Sequence, residues 1–230
     1  MKIKLSIADK AFTLINTLIM LGVIVITLYP MLYILFGSLS DSDLLMKHSG
    51  LLFYPLGVNI QSYLAVFQNP RIVTGYQNTF SILIFGIVIN IVMTALGAYF
   101  LSCKELKYRK YIMIFIMITM FFTGGIVPRY LNIQSLGLYN SIWSVILPVA
   151  INTFNLIIMR TAFEGVPVSL KESANLDGAG DWTILFRIIM PLTMPTIAVV
   201  ILYYGVAHWN SWLTAVMYIQ DKTKHPLQVI

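Results

Sequence analysis

Long, continuous apolar runs decide what this sequence can fold into. A helix that crosses the hydrocarbon core of a bilayer needs about 20 mostly apolar residues, whereas barrel strands show alternating segments of about ten. The sequence contains five continuous runs, at 11–37, 78–102, 111–127, 141–159 and 188–207. We therefore predict an all-α integral membrane protein with five visible spans.

The composition excludes several other classes of protein. Only 10% of the residues are charged and 58% are hydrophobic, whereas soluble domains carry about 25% charged residues. A soluble enzyme and a disordered regulator are therefore excluded, and the single cysteine, Cys103, cannot close a disulfide within the chain. The net charge of +6 is small and dispersed, so we expect no nucleic-acid partner.

The cationic residues orient the predicted spans. With a cytoplasmic N-terminus, ten lysines and arginines fall in cytoplasmic segments and five in external ones, and the cluster at 104–110 provides much of the difference. Lys2, Lys4 and Lys10 precede a first run that is much longer than the apolar region of about 7–15 residues in a signal peptide. We therefore predict an uncleaved first helix with its N-terminus in the cytoplasm.

The sequence lacks the residues that several membrane-protein activities require. None of the nine acidic residues lies inside a predicted span, which disfavours a carrier driven by its own coupling ion. No glycine is followed by lysine, so there is no Walker-type phosphate loop. His48 and His225 fall in loops, and His208 at a span end is predicted to be an interfacial polar residue. We expect no enzymatic activity, no metal site and no cofactor in this chain.

The segment 164–187 between the fourth and fifth spans carries a definite pattern. Ser169 and Glu172 have the spacing of a capping box, which predicts a short helix beginning at Leu170. Gly178 can adopt the left-handed conformation that ends this helix, and Asp181 is predicted to cap the next one. Such a segment either lies on the lipid surface or contacts a protein, and its four acids favour a protein partner because the inner leaflet is anionic.

This segment resembles the signature of binding-protein-dependent ABC importer permeases, which is Glu-Ala-Ala, three residues, Gly, nine residues, Ile-x-Leu-Pro. Serine replaces the first alanine and methionine replaces the leucine. The likeness is to the carbohydrate branch, the maltose-type inner subunits and especially the polysaccharide and lipoprotein-type permeases. The residues that carry it are Glu172-Ser173-Ala174, Gly178, Ile188 and Met190-Pro191, with Val166-Pro167, Asp177-Gly178-Ala179, Tyr29-Pro30, Gly124-Gly125, Trp209-Asn210 and Pro226-Leu227-Gln228 in support.

The resemblance implies a type I ABC importer transmembrane bundle in a prokaryotic plasma membrane, with this loop as the coupling helix. Glu172 would pair with a basic group of an ATPase subunit, and Ala174 and Gly178 would allow close approach. The implied partners are a second permease in a heterodimer, two ATPase subunits that bind ATP and Mg, an external solute-binding protein, and membrane lipid. The coupling residues implied are Glu172, Ser173, Ala174, Asp177, Gly178 and Ala179.

A sugar path needs hydroxyl partners and flat apolar faces. Amide and aromatic residues in and just after the last two predicted spans offer both. The alternative interpretation is that these side chains form interfacial aromatic belts and hydrogen bonds between helices. The candidate path residues are Asn152, Asn155, Tyr203, Tyr204, Trp209 and Asn210.

The predicted organisation is a first helix with its outer loop (1–77), followed by an importer transmembrane domain (78–230). Members of this branch have six spans and a longer chain, so a final span is expected to be missing here. The resemblance implies a permease subunit that moves oligosaccharides or polysaccharides with energy from partner ATPases. A non-transporting membrane scaffold or regulatory subunit, and an ion-coupled secondary carrier, are the alternatives.

Overall fold

A computed structural model describes residues 6–104, 106–122 and 124–230, and all regular elements in these ranges are helices. Lys2, Lys4 and Glu105, which enter the charge counts above, lie outside the described residues. The chain divides into two compact units, Met1–Asn69 and Pro70–Ile230, which are described separately.

The first unit is one long helix followed by two short ones. These are α1 (Ile7–Ser38), α2 (Ser42–Lys47) and α3 (Gln61–Gln68). The loop after the first span therefore contains two short helices. Asp41 caps α2 by accepting hydrogen bonds from the backbone N–H of Asp43 and Leu44. Asn59 donates to the same carboxylate at 3.3 Å, and this bond, with the capping bonds, lowers the pKa of Asp41.

The second unit contains the remaining helices. They are α4 (Pro70–Ser102), α5 (Arg109–Phe121), α6 (Ile126–Ser135), α7 (Trp143–Ile146), α8 (Thr153–Glu164), α9 (Val168–Leu176), α10 (Asp181–Ile184), α11 (Met190–Leu192), α12 (Met194–Trp209) and α13 (Trp212–Tyr218). Short 3₁₀ turns lie at Leu147–Val149, Lys222–Lys224 and Leu227–Val229, and a π-helical turn at Leu185–Ile189.

Among the described residues, only α1 and α4 are by themselves long and apolar enough to cross a membrane. Five spans are reached there if each of three bent helix pairs is one span. The other three apolar runs of the sequence, at 111–127, 141–159 and 188–207, fall on these bent pairs. They bend by 111° between α5 and α6, by 51° before α8, and by 86° between α11 and α12. Gly125, with φ of 84°, lies at the first bend, Pro148 precedes the second, and Pro191 and Pro195 flank the third.

Helix α4 is the centre of the second unit and packs against α8 and α12. Its buried face consists mainly of small or short polar residues at intervals of four or seven residues. Lipid provides no hydrophobic force between helices, so close packing along such a stripe is what holds membrane helices together. The stripe comprises Gly75, Thr79, Gly86, Asn90, Thr94 and Ala98.

The last residues fold back against the start of α4. The side-chain amide of Asn78 donates to the carbonyls of Thr223 and His225 at 2.8 and 3.0 Å. Thr79 accepts a hydrogen bond from the backbone N–H of Leu227 at 2.9 Å. These contacts tie the segment after α13 to the same end of the bundle as residue 78.

Candidate functional site

The loop 164–187 forms a helix, an elbow and a second helix, as predicted, but with different caps. Helix α9 begins at Val168 with Pro167 at its N-cap, and no side chain caps it. The predicted capping box of Ser169 and Glu172 is therefore wrong, because proline already fixes the backbone at the helix entrance. Asp181 is the first residue of α10, with Gly180 as the N-cap.

The elbow after α9 is a Schellman motif. Gly178 has φ of 79°, its N–H donates to the carbonyl of Asn175 at 3.0 Å, and the N–H of Ala179 donates to the carbonyl of Ala174 at 2.9 Å. Ala174 is buried, and Ala179 packs against the same apolar cluster. The small size of both alanines therefore permits close packing within this chain. That Ala174 also allows close approach of an ATPase subunit stays a prediction.

The four acids of the loop fall into two pairs with different roles. Glu164 accepts from Arg109 and Arg160 at 2.8 and 2.7 Å, and Asp181 accepts from the hydroxyl of Tyr99 at 2.8 Å. These bonds anchor both ends of the loop to the bundle.

The other two acids, Glu172 and Asp177, lie between these anchors. Within the ranges described here, their carboxylates have no hydrogen bond or ion pair. Both residues are exposed, as are Ser173 and Gly178. The middle of the loop therefore presents two unneutralised carboxylates on a rigidly held support.

Leu176, at the end of α9, is a feature that the sequence analysis missed. It is 89% exposed although it is a large apolar residue. It directly precedes Asp177 and lies one helical turn after Glu172. An exposed leucine among unpaired acids is typical of a protein contact rather than of a solvated loop.

A cavity of about 560 Å³ opens at the other end of the bundle, within the usual size range of ligand sites. Its walls come from α6, α7, α8, α12 and α13. Five of the six predicted path residues line it, whereas Trp209 does not. The lining includes Asn152, Asn155, Tyr203, Tyr204 and Asn210, with Arg129, Phe154, His208, Ser211 and Thr214 among the others.

The predicted path residues differ in what they do. Asn152 caps α8 by accepting the backbone N–H of Asn155 at 3.1 Å, so its carbonyl oxygen already has a structural partner. The side-chain amide of Asn155 makes no hydrogen bond in the described part of the chain, although the residue is 95% buried (5% exposed). Tyr203 pairs with Phe154, with ring centroids 6.1 Å apart. An unpaired amide and an exposed aromatic pair are the elements that a sugar site uses.

The interruption of the helix before α8 is braced by side chains from two other helices. Asn90 of α4 donates to the carbonyls of Val149 and Ala150 at 2.6 and 3.0 Å. Tyr204 of α12 accepts the backbone N–H of Asn152 at 2.9 Å. Backbone groups that leave the helical pattern at membrane depth must find such partners or water, so these contacts allow the break to persist beside the cavity.

His208 is part of the same network, and its predicted interfacial placement is wrong. It is 3% exposed, and its Nε2 lies 2.6 Å from Oδ1 of Asn90. Because the Nδ2 of Asn90 donates to two carbonyls, Oδ1 is the acceptor and Nε2 of His208 carries the hydrogen. Gly86 makes room for the ring, since a Cβ there would lie 2.5 Å from Nε2. A polar residue in the middle of an apolar run, Asn90, was the signal for this network.

Replacing Asn90 with leucine is expected to destabilise the bundle, because two carbonyls and His208 lose their partner. Each buried group left unpaired costs about 1–3 kcal/mol. The measurement is the thermal unfolding midpoint of the purified chain in detergent. Asn155→Leu is the matched control, because it removes a buried amide without hydrogen bonds and should lower the midpoint less. Equal losses in the two variants would contradict the bracing role.

The charge that faces the cavity is positive. Arg129, in α6, is the sole charged side chain among the described residues of its wall, and its guanidinium has no ion pair or hydrogen bond in the ranges described. An unpaired arginine at the mouth of a cavity attracts carboxylates, which its planar fork can bind in a bidentate manner. No cluster of three His, Cys, Asp or Glu in the same ranges is arranged to hold a metal.

The chain is similar to known membrane transport proteins. The profile of the "Binding-protein-dependent transport system inner membrane component" family matches residues 111–223. The polygalacturonan/rhamnogalacturonan transport system permease protein YtcP of Bacillus subtilis (strain 168) is 35% identical over 89% of this chain and 71% of that protein. Protein LplC of the same organism is 36% identical over 97% of this chain and 75% of its own length.

A solved structure extends the likeness to three dimensions. The crystal structure of a bacterial ABC transporter involved in the import of the acidic polysaccharide alginate contains a similar chain. It matches with a TM-score of 0.93 and 31% identity, over 99% of this chain and 81% of that one.

Proposed function

The chain belongs to the inner membrane components of binding-protein-dependent transport systems, and from this premise we propose that it is the permease subunit of an ATP-driven importer of acidic oligosaccharides. It is a multi-pass plasma-membrane protein and a transport subunit rather than an enzyme. In this proposal the cavity beside α8 and α12 is part of the sugar path.

The unpaired arginine in the cavity is the observation that carries the choice of substrate. Arg129 supplies a positive charge, Asn155 an amide with no partner in the described ranges, and Tyr203 with Phe154 an aromatic surface. A uronic acid sugar has a carboxylate, hydroxyl groups and an apolar ring face to meet these three features. The relatives named for polygalacturonan and for alginate, which are both acidic glycans, agree with this choice.

The loop at the opposite end of the bundle supports the part of the proposal that couples transport to ATP hydrolysis. Glu172, Asp177 and Leu176 form an exposed surface on a helix fixed at both ends by Glu164 and Asp181. Because the loop is bonded to the bundle at both ends, a partner that moves this surface would also move the helices of the bundle. We propose that it seats in an ATPase subunit, with a second permease and an external binding protein completing the importer.

Reconstitution tests the proposal directly. The chain would be copurified with its partner subunits and placed in liposomes with ATP inside and the binding protein outside. Uptake of a trigalacturonide is expected to require ATP and to exceed uptake of uncharged maltotriose. Uptake of the neutral sugar alone would contradict the acidic substrate class, and ATP-independent uptake would contradict the importer.

The orientation has its own test. A reporter fused at Gly180 should be cytoplasmic and one at Asn132 external, because the cationic cluster at 104–110 favours the cytoplasm for that end of the bundle. Alkaline phosphatase and green fluorescent protein fusions at both sites give opposite signals. The reverse pattern would overturn the proposed direction of transport.

A further inference from the structure

A crevice between α5 and α8 combines cations with an apolar wall. It has a volume of about 390 Å³, and its lining is Arg109, Lys110, Met113, Ile114, Met117 and Arg160. Arg109 and Lys110 begin α5, the apolar side chains follow within the next two turns of that helix, and the third cation, Arg160, comes from α8. This crevice is separate from the proposed sugar cavity and from the exposed surface formed by Glu172, Leu176 and Asp177.

The cations are held in place but are not neutralised. Glu164 accepts from both Arg109 and Arg160 through the same oxygen, and Arg160 also donates to the carbonyl of Leu101 at 3.1 Å. Most N–H donors of the two guanidinium groups remain uncommitted. The side chain of Lys110 has no hydrogen bond or ion pair within the described ranges. With three cations against one carboxylate, the crevice is positive.

The order of these residues along α5 matches the layers of a membrane leaflet. A helix rises 1.5 Å per residue, so Met117 lies about 12 Å along the axis from Arg109. Cations therefore lie at headgroup level, and the apolar wall continues in the direction of the hydrocarbon. Met113 is the one buried residue of α5, while Ile114 and Met117 are 41% and 37% exposed. The outer side of α5 is thus accessible.

From this arrangement we infer that the crevice is a binding site for an anionic phospholipid of the cytoplasmic leaflet. The phosphate would lie among Arg109, Lys110 and Arg160, and an acyl chain would lie along Met113, Ile114 and Met117. A basic pocket next to a membrane helix on the cytoplasmic side has the properties that recognise anionic headgroups. The inference rests on the proposed orientation and is independent of the transported sugar.

A bound lipid would also have a structural consequence for the loop. Arg109 and Arg160 contact the headgroup and also hold Glu164, which is the last residue of α8 and the start of the coupling segment. Lipid occupancy would therefore stiffen this anchor. The site would link leaflet composition to the stability of the loop without contacting the sugar cavity.

The test uses the assembled importer in nanodiscs that contain phosphatidylcholine with increasing phosphatidylglycerol. Native mass spectrometry counts the phosphatidylglycerol that stays bound after transfer to detergent. Lys110→Gln is expected to weaken retention about fivefold, the contribution of one cation near an anionic leaflet. Lys107→Gln is the matched control, because it removes the same charge from the same segment outside the crevice. Equal retention by the two variants would overturn the inference.

A second variant separates lipid from a free anion. Ile114→Trp fills the apolar half and leaves every charge in place, so it should reduce retention of phosphatidylglycerol as Lys110→Gln does. Inorganic phosphate should not displace the lipid, because it lacks the acyl chains. Unchanged retention in Ile114→Trp, or displacement by phosphate, would show a simple anion site. A photocrosslinking residue at position 114 tests whether a protein covers the crevice. A crosslink to the second permease instead of to lipid would overturn the inference.

Discussion

Replacing Glu172 with lysine is expected to reduce sugar-stimulated ATP hydrolysis by the reconstituted importer to its unstimulated rate. Glu172 is exposed in the middle of α9, and no group in the described ranges neutralises it. If a basic group of the ATPase faces it, the substitution places two like charges together, which costs several kcal/mol at an interface. The measurement is phosphate release with and without the sugar-loaded binding protein.

Two controls make the result interpretable. Glu172→Gln removes the charge without reversing it and should give an intermediate stimulation. Copurification of the ATPase subunits separates lost binding from lost coupling. Because α9 is fixed at its ends by Glu164 and Asp181, the variant should insert and fold as the native chain does. Full stimulation in Glu172→Lys would contradict the coupling role of this helix.

Replacing Arg129 with glutamine is expected to lower the uptake of an acidic oligosaccharide about 10- to 100-fold, since hydrogen bonds to charged groups contribute about 1.5–3 kcal/mol. Uptake of a neutral sugar, where measurable, should not fall. Arg129 has no ion pair in the described ranges, so its removal leaves no internal carboxylate unpaired. The measurement is initial uptake of radiolabelled trigalacturonide at several concentrations.

A matched control distinguishes a contact from general electrostatic attraction. Lys222→Gln removes a cation from the same end of the bundle, but this residue does not line the cavity. It should change uptake little, and mainly at low salt. Arg129→Lys keeps the charge without the bidentate fork and should retain part of the activity. Equal effects of Arg129→Gln and Lys222→Gln would argue against a carboxylate contact.

The sequence predicted the helices well because lipid leaves a spanning segment little choice of backbone structure. It did not predict the break in the helix before α8. The interruption before α8 depends on Asn90 and Tyr204, which come from helices distant in sequence and provide the hydrogen bonds that the break lacks. Hydropathy reports the environment of a segment, but it carries no information about such partners.

In the coupling loop, too, features set by local sequence were predicted and features set by contacts with distant helices were not. Its helix, its elbow at Gly178 and its acidic character follow from local residue types, which the sequence displays directly. The separation of its acids into anchored and unpaired ones does not, because Tyr99 and Arg109 are brought to the loop only by the packing of α4 and α5. Arg129 was missed for a similar reason, since the cavity that it faces exists only after the bends are formed.

The close approach of α4 and α12 limits how this family can vary. A side chain at position 86 would occupy the space of the His208 ring, and without that ring Oδ1 of Asn90 would lose its donor. None of the three can be exchanged alone without a clash or an unpaired group. Across related permeases we therefore expect residues 86, 90 and 208 to change together, as a single inherited unit.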